Sequence, residues 1–404
     1  MFSERPLRRI SCVHPIFRRP GAGKEPLRSD PSRAGMPVSH FSQVTDMPSL
    51  FDPLQLGAVS MANRIVMAPL TRNRSQGLLP GPLAVEYYRQ RASAGLIISE
   101  GAQISPEGQG YLDTPGIYSP EQIAAWKRVT DAVHEAGGKI AVQLWHVGRI
   151  SHAEFQPGGA KPLSSTDRQA NSKTFTKAGF VDVAAPRALK TEELPGIVQA
   201  YVHAARSAME AGFDAVEVHG ANGYLLDQFL RDSVNDRRDA YGGSIENRAR
   251  LLLEVMQAIV AAIGADRTGL RLSPVTPVND AGQDSDAQAL FNYVAEQLSP
   301  LKLAFLHVIE GQTGGPRDVA PFDYAALRER FKGPYIANNG YTRDMALAAV
   351  ADGHADAVAF GRSFISNPDL VRRLRLNAPL QKANSATMYG GGAEGYTDYP
   401  ALAD

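Results

Sequence analysis

The chain has 404 residues with 42 basic and 42 acidic side chains, so its net charge is zero and gives no electrostatic reason to expect nucleic acid or an anionic membrane as a partner. Its single cysteine, Cys12, excludes an intramolecular disulfide framework and metal sites built from several cysteines. No apolar run approaches the roughly 18 residues that span a bilayer, and the N-terminus lacks the apolar core of a secretory signal. We therefore expect a cytoplasmic protein, a monomer or a homodimer, that binds a small molecule.

Residues 1–48 differ in composition from the rest of the chain. Seven arginines are scattered there among prolines, glycines and serines, with no helical or strand period, so we expect a disordered extension. An arginine-rich, acid-poor leader is also typical of an organelle transit peptide, although four prolines within the first 26 residues interrupt any amphipathic helix. A start codon assigned too far upstream is a further alternative, since Met36 and Met47 both precede the part of the chain that is predicted to be ordered. Residues 49–404 are predicted to form one domain.

Eight short apolar runs follow in chain order, and most are apolar at successive positions. They lie at residues 64–70, 95–101, 139–146, 215–220, 268–274, 303–309, 334–340 and 357–362. Such runs are typical of strands that are buried on both faces of a parallel sheet. The segment at residues 51–64, which leads into the first of these runs, predicts a short hairpin.

Longer amphipathic segments separate the runs and carry helix start signals. Ser119 and Gln122 fit a capping box, and further helices open near Thr191 and near Ser285. One unbroken alternation of strand and helix predicts an α/β fold, a (β/α)8 TIM barrel with an N-terminal β-hairpin that closes the barrel floor. A doubly wound sheet fits less well, because the first run continues into APLTRNRS without a Gly-x-Gly-x-x-Gly turn.

The active site of such a barrel lies at the C-terminal ends of its strands. The side chains predicted there include few carboxylates and no obvious nucleophile, but many hydrogen-bond donors. This composition suits a site that holds an electron-rich organic cofactor and stabilises negative charge. The donors and their aromatic neighbours are Thr71, Gln143, Trp145, His146, His219, Asn222, Tyr224, Arg271, His307, Asn339 and Arg362.

Single residues leave alternatives open. Gly361 and Arg362 follow the eighth run, where barrels often bind phosphate, but they also fit a plain turn and a surface charge. Arg271 lies within an apolar strand, so it must meet either a ligand or a buried carboxylate such as Glu217. Gln143 either bonds a neighbouring backbone group or binds the amide edge of a heterocycle.

Six segments together resemble the old yellow enzyme family of flavin-dependent ene-reductases, in particular its branch of N-ethylmaleimide reductase and pentaerythritol tetranitrate reductase. They are NRIVMAPLTR, YYRQRASAGLIISEG, VQLWHVGRISH, the block that begins EVHGANGYLLDQFL, AFGRSFISNPDLVRRL and MYGGGAEGYTDYP. The resemblance implies a TIM barrel with tightly bound, non-covalent FMN that NADPH or NADH reduces. An activated alkene, a nitro compound or a nitrate ester would reoxidise it.

The resemblance also implies roles for individual residues. His219 and Asn222 are implied to bind the carbonyl or nitro oxygen of the substrate, and Tyr224 to donate a proton. Around the substrate it places the aromatic residues Tyr111, Trp145 and Tyr389, each of which would otherwise be taken for core. The positions implied to bind FMN are Ala68, Pro69, Leu70, Thr71, Gly101, Gln143, Arg271, Asn339, Gly340, Gly361 and Arg362. No metal is implied.

Three departures from the family pattern stand out. Many relatives have a threonine where this chain has Ala102, the pair Asn338 and Asn339 replaces a smaller turn, and Asp227 stands where histidine or asparagine is common. Two other interpretations remain. One is a different FMN or phosphosugar barrel, although no predicted strand ends in the lysine that an aldolase needs. The other is a barrel that binds a ligand without turning it over.

Overall fold

A computed structural model describes residues 47–403 of the chain. The predicted extension, residues 1–48, lies almost wholly outside the described residues. Within residues 47–403, eight parallel strands close into a barrel and follow the chain in order around it. Each lies at one of the predicted apolar runs. They are β1 (Ile65–Met67), β2 (Leu96–Gln103), β3 (Ile140–Trp145), β4 (Ala215–Gly220), β5 (Thr268–Leu272), β6 (Phe305–Ile309), β7 (Tyr335–Asn338) and β8 (Ala357–Phe360).

A helix follows each strand and packs on the outside of the barrel. The helices are α1 (Pro82–Arg89), α2 (Pro120–Glu135), α3 (Leu194–Glu210), α4 (Ile245–Ile263), α5 (Ala287–Leu298), α6 (Tyr324–Phe331), α7 (Arg343–Ala351) and α8 (Leu370–Leu376). The capping box of Ser119 and Gln122 opens α2 as predicted. The start of α5 is shifted by one residue, because Asp286 rather than Ser285 accepts the capping hydrogen bond. A single 3-10 turn at Thr191–Glu193 precedes α3.

The predicted hairpin closes the N-terminal end of the barrel. Its strands, Leu54–Leu56 and Val59–Met61, pair antiparallel. The backbone N–H of Ala58 in its turn donates to the carbonyl of Asp266, directly before β5, over 2.8 Å. Apolar side chains of the hairpin pack against the inward-facing residues of the strands, among them Val66 and Ile98. The barrel interior is therefore a packed core that the hairpin covers at the N-terminal ends of the strands.

The opposite end of the barrel carries the longer connections. Between β3 and α3 lie the parallel pair Leu163–Ser164 and Arg187–Ala188 and the hairpin of Lys173–Thr176 with Gly179–Asp182. Two short helices, Leu225–Leu230 after β4 and Arg362–Ser366 after β8, begin directly at strand ends. No helix among the described residues is long and apolar enough to cross a membrane.

Candidate active site

A cavity of about 650 Å³ opens at the C-terminal ends of the barrel strands. The residues predicted from the sequence that line it are Ala68, Pro69, Leu70, Thr71, Gly101, Gln143, Trp145, His219, Asn222, Tyr224, Arg271, Asn339, Gly340, Gly361, Arg362 and Tyr389. Tyr111 stands one layer behind them, stacked on Trp145 with ring centroids 5.6 Å apart. The residues implied by the family resemblance thus lie together, whereas His146 and His307, also expected at the strand ends, are buried and do not line the cavity.

One wall of the cavity is formed where β1 ends and the C-terminal segment returns. Arg72 points away from the cavity: its Nε donates to the carbonyl of Met388 over 3.0 Å and its Nη2 to that of Gly395 over 2.7 Å. Arg74 donates to three more carbonyls of the same segment, those of Thr387, Gly392 and Glu394. These two arginines hold the segment that contributes Met388 and Tyr389 to the cavity.

Gly101 leaves the space that the indole of Trp145 occupies. A β-carbon built on Gly101 would lie 2.6 Å from the Trp145 ring, closer than nonbonded atoms can approach. The two strands also change register between Ile98 and Gly101, a bulge that places Gly101 opposite Gln143. Packing of the indole therefore requires a residue without a side chain at this point, in addition to any requirement of a ligand.

The end of β4 presents His219 as a neutral donor. Its Nδ1 accepts the backbone N–H of Ala221 over 3.3 Å, so in a neutral ring the proton is on Nε2. Burial, with help from the nearby charge of Arg271, holds the pKa of His219 well below its usual value. A neutral imidazole with an N–H toward the cavity follows from these contacts.

Asn222 is held by three neighbours in a left-handed backbone conformation, with φ of 58°. Its backbone N–H donates to Ser273 Oγ over 2.8 Å, and its carbonyl accepts from Asn279 Nδ2 over 2.9 Å. Its side-chain Oδ1 accepts from the hydroxyl of Thr313 over 2.6 Å. The amide nitrogen, Nδ2, is the atom that remains for a ligand.

Tyr224 is a protonated phenol next to these donors. Its hydroxyl lies 3.1 Å from that of Tyr111, and its ring meets the rings of Trp145 and His219 edge-on at 5.0 Å each. Burial raises the pKa of Tyr224 above its ordinary value of 10, so the phenol keeps its proton at neutral pH.

A buried ion pair between Asp227 and Arg231 stabilises the turn that follows β4 and explains the presence of Asp227. One carboxylate oxygen of Asp227 accepts the backbone N–H of Gly223 over 2.8 Å. The other pairs with Arg231 Nε over 2.9 Å, and both side chains are fully buried. Gly223 has φ of +70°, and a β-carbon there would lie 2.8 Å from the carbonyl of Val278. Asp227 therefore fixes the backbone of the turn rather than facing the cavity.

Arg271 does not pair with Glu217. The register places Glu217 opposite Gln143, and Arg271 opposite His219 and His307. The Glu217 carboxylate accepts from Gln143 Nε2 over 2.8 Å and from His307 Nδ1 over 2.6 Å. The predicted alternative of an ion pair between Arg271 and Glu217 is thus wrong. The Glu217 carboxylate fixes the side chain of Gln143 instead.

The guanidinium of Arg271 is only partly satisfied. Its Nη2 donates to Asn338 Oδ1 over 2.8 Å, whereas its buried Nε has no hydrogen-bond partner within residues 47–403. Burial lowers the pKa of Arg271 to about 10, so the group remains a cation at neutral pH. An unused, buried cationic donor in a cavity wall is suited to an anionic or carbonyl edge of a ligand.

Asn339, Gly340, Gly361 and Arg362 line the end of the cavity at β7 and β8. Asn339 has φ of 108° and Gly340 φ of 65°, and a β-carbon on Gly340 would meet no atom within 4 Å. Arg362 reaches across this end, where its Nη2 contacts the carbonyl of Gly314. Behind it, the buried Glu310 accepts from Arg317, Tyr335, Tyr341 and His354.

The sequence interpretation missed part of the lining. The loop after β6 contributes Thr313, Gly314 and Gly315, and the segment after β8 contributes Ser363 and Ile365. The available signal for the loop was its place after a barrel strand together with the adjacent glycines of QTGGP. Neither feature identifies Thr313 without the contact to Asn222.

Comparisons with known proteins agree with this arrangement. A family model described as the NADH:flavin oxidoreductase / NADH oxidase family matches residues 49–381. The chain is 48% identical over 359 residues to 12-oxophytodienoate reductase 1 of Oryza sativa subsp. japonica, which covers 87% of this chain and 93% of that protein. It is 45% identical over 361 residues to 12-oxophytodienoate reductase 2 of Arabidopsis thaliana, with 87% and 96% covered.

Two solved structures have the same architecture. Morphinone reductase in complex with tetrahydroNAD matches with a TM-score of 0.84 at 47% identity, over 88% of this chain and 98% of that one. The old yellow enzyme homologue from Zymomonas mobilis matches with a TM-score of 0.84 at 45% identity, over 88% and 100% of the two chains.

Proposed function

This chain belongs to the NADH:flavin oxidoreductase / NADH oxidase family, as an FMN-dependent ene-reductase of the old yellow enzyme type, and from that premise we propose the role of each residue in its cavity. The single observation that carries the assignment is the pairing of two neutral donors, His219 and Asn222, with the protonated phenol of Tyr224 at the end of one strand. This trio stabilises a developing oxyanion and supplies a proton beside it.

The residues of the cavity fit FMN. The buried Nε of Arg271, which lacks a partner within the described part of the chain, matches a polar edge of the flavin ring. Gln143, whose Nε2 is held by Glu217, has its amide oxygen left for the same edge. At the far end, the N–H groups near Gly340 and Gly361 and the cation of Arg362 suit the phosphate. Ala68, Pro69, Leu70, Thr71, Gly101 and Asn339 complete the proposed contacts.

Bound in this cavity, FMN that a nicotinamide has reduced would supply the hydride for the β-carbon of an alkene conjugated to an electron-withdrawing group. Negative charge then develops on the oxygen of that group. His219 Nε2 and Asn222 Nδ2 both donate to this oxygen, and loss of one well-placed donor costs about 10²- to 10³-fold in rate. Tyr224 protonates the α-carbon, because its raised pKa keeps the proton available at neutral pH.

The proposed substrates are small molecules: α,β-unsaturated carbonyl compounds, maleimides, nitro compounds and nitrate esters. The names of the relatives, 12-oxophytodienoate reductase and morphinone reductase, support carbonyl-conjugated alkenes. The aromatic rings of Trp145 and Tyr389 provide a wall for such compounds, and Tyr111 stacks on Trp145 behind it. NADH is supported as one reductant by the tetrahydroNAD in the morphinone reductase structure, and NADPH is the alternative. A cytoplasmic location is proposed from the single cysteine, which a fluorescent fusion can test.

The test is a pair of half-reactions on the purified protein. We expect a yellow protein that loses its colour with NADPH or NADH in the absence of oxygen and regains it with 2-cyclohexenone. Cyclohexanone, which lacks the alkene, is the matched control and should leave the reduced protein colourless. A protein that takes up no FMN, or one whose reduced form ignores every activated alkene, would contradict the proposal. Bleaching rates with the two nicotinamides measure the preference.

A further inference from the structure

The side-chain amide of Asn222 is held from one side only. Its oxygen accepts from Thr313 Oγ1 over 2.6 Å, and Thr313 lies in the loop that follows β6. The contacts with Ser273 and Asn279 involve the Asn222 backbone and do not depend on how the amide is turned. Among the described residues, Thr313 is thus the hydrogen-bond partner of the Asn222 side-chain amide.

Because a hydroxyl can donate to the amide oxygen or accept from the amide nitrogen, this contact fixes where the amide lies, and the ligand selects which end of the amide faces it. An amide offers a donor on one side and an acceptor on the other, and half a turn about its last bond exchanges them. With the oxygen toward Thr313, an N–H of Nδ2 faces the substrate oxygen. In the reverse orientation two oxygens would face each other as negative charge develops, which raises the energy of the transition state.

On the basis of the proposed function, we propose that Thr313 is a positioning residue: its hydroxyl holds the Asn222 amide in place and donates to the amide oxygen while Nδ2 donates to the substrate oxygen. Thr313 is itself placed by its loop. Its hydroxyl oxygen lies 3.5 Å from that of Thr276, and Thr276 donates to the carbonyl of Gly311 over 2.7 Å. The carbonyl of Gly314, the next residue, receives Arg362. One loop therefore joins the proposed phosphate ligand to the proposed oxyanion donor.

The experiment measures the reoxidation of reduced holoenzyme by 2-cyclohexenone in a stopped-flow instrument. The enzyme is photoreduced, so the result does not depend on nicotinamide binding. Thr313→Val keeps the volume and removes the hydroxyl, and we expect its rate at saturating substrate to fall about five- to tenfold, the value of one hydrogen bond. KM should change by less than about twofold, because the contact strengthens mainly in the transition state. Thr313→Ser should restore the rate.

Two controls separate positioning from loop structure. Thr276→Val removes a hydroxyl of the loop after β5 that supports the Thr313 loop through Gly311 but does not contact Asn222, so we expect a smaller loss of rate than in Thr313→Val. In the background of Asn222→Ala, Thr313→Val should have no further effect, because a residue that acts through Asn222 cannot act without it. Thr313→Ala serves if the valine variant does not fold.

Three results would overturn the proposal: a Thr313 variant that folds and keeps the wild-type rate, an equal loss in Thr276→Val, or a loss that persists in full without Asn222. Wild-type reduced enzyme that 2-cyclohexenone cannot reoxidise would contradict the proposed function and this proposal with it. Because the wild type is measured first, the two failures are distinguished.

Discussion

The hydroxyl oxygens of Tyr224 and Tyr111 lie 3.1 Å apart, one phenol facing the cavity and the other behind it. We predict that Tyr224→Phe slows reoxidation by 2-cyclohexenone by about 10²-fold or more, as the loss of a general acid does, while reduction by nicotinamide is little changed. Tyr111→Phe is the matched control. It removes only the hydroxyl that supports Tyr224 and should cost less than about tenfold. Equal effects on both half-reactions would argue against Tyr224 as the proton donor.

The same groups predict a flat pH profile. The pKa of His219 is lowered well below 6.5 by burial, and that of Tyr224 is raised above 10. Neither group changes its charge at intermediate pH, so the reoxidation rate should stay constant from about pH 6 to 9. A rate that changes with a midpoint near pH 6.5 would show that His219 titrates there, against this prediction. Stopped-flow rates across that range provide the measurement.

Arg271 and Arg362 should differ in what they do for FMN. Arg271→Gln removes a buried cation from the proposed site of the polar flavin edge, so we predict a lower reduction potential and an FMN affinity weaker by about tenfold or more. Arg362 is exposed and lies at the proposed phosphate end, and Arg362→Gln should weaken FMN affinity while the reduction potential stays near that of the wild type. Dye-equilibrated redox titration and FMN titration of the apoprotein give the two quantities. A potential unchanged by Arg271→Gln would contradict its placement.

The buried carboxyl group of Glu100, which lies on β2 and accepts the backbone N–H of Arg72, leads to a prediction about stability. Burial raises the pKa of Glu100 to about 7, above the value of about 4.3 in an unfolded chain. The folded state therefore binds the proton more tightly, and stability present below the unfolded pKa is lost as the pH rises through the folded one. Relative to Glu100→Gln, the free energy of unfolding of the wild type should fall by on the order of 3 kcal/mol between about pH 4 and 8. Urea denaturation of both proteins at the two pH values tests this, and a constant difference would contradict it.

The barrel could be predicted from the sequence because its strands are continuous apolar runs and because a strand followed by a helix occurs eight times along the chain. The strand-end residues followed from that order, since the C-terminal ends of parallel strands meet at one end of the barrel. The partner of Glu217 could not be predicted. Glu217, Arg271 and His307 lie on three consecutive strands, and only the side-chain contacts inside the barrel show that the carboxylate accepts from His307 and Gln143. Thr313 was missed for a different reason, because a loop without a period gives no indication of which side chain turns inward.

The hydrogen bonds that the Arg72 and Arg74 side chains donate to residues 387–395 all end on backbone carbonyls of that segment. Arg72 and Arg74 therefore recognise the path of this segment and not its side chains. Met388 and Tyr389, which it brings to the cavity, can be replaced without loss of the anchoring hydrogen bonds. Natural variation, or a library made for directed evolution, can therefore change the substrate range of the enzyme at this segment while the flavin site and the barrel are inherited unaltered.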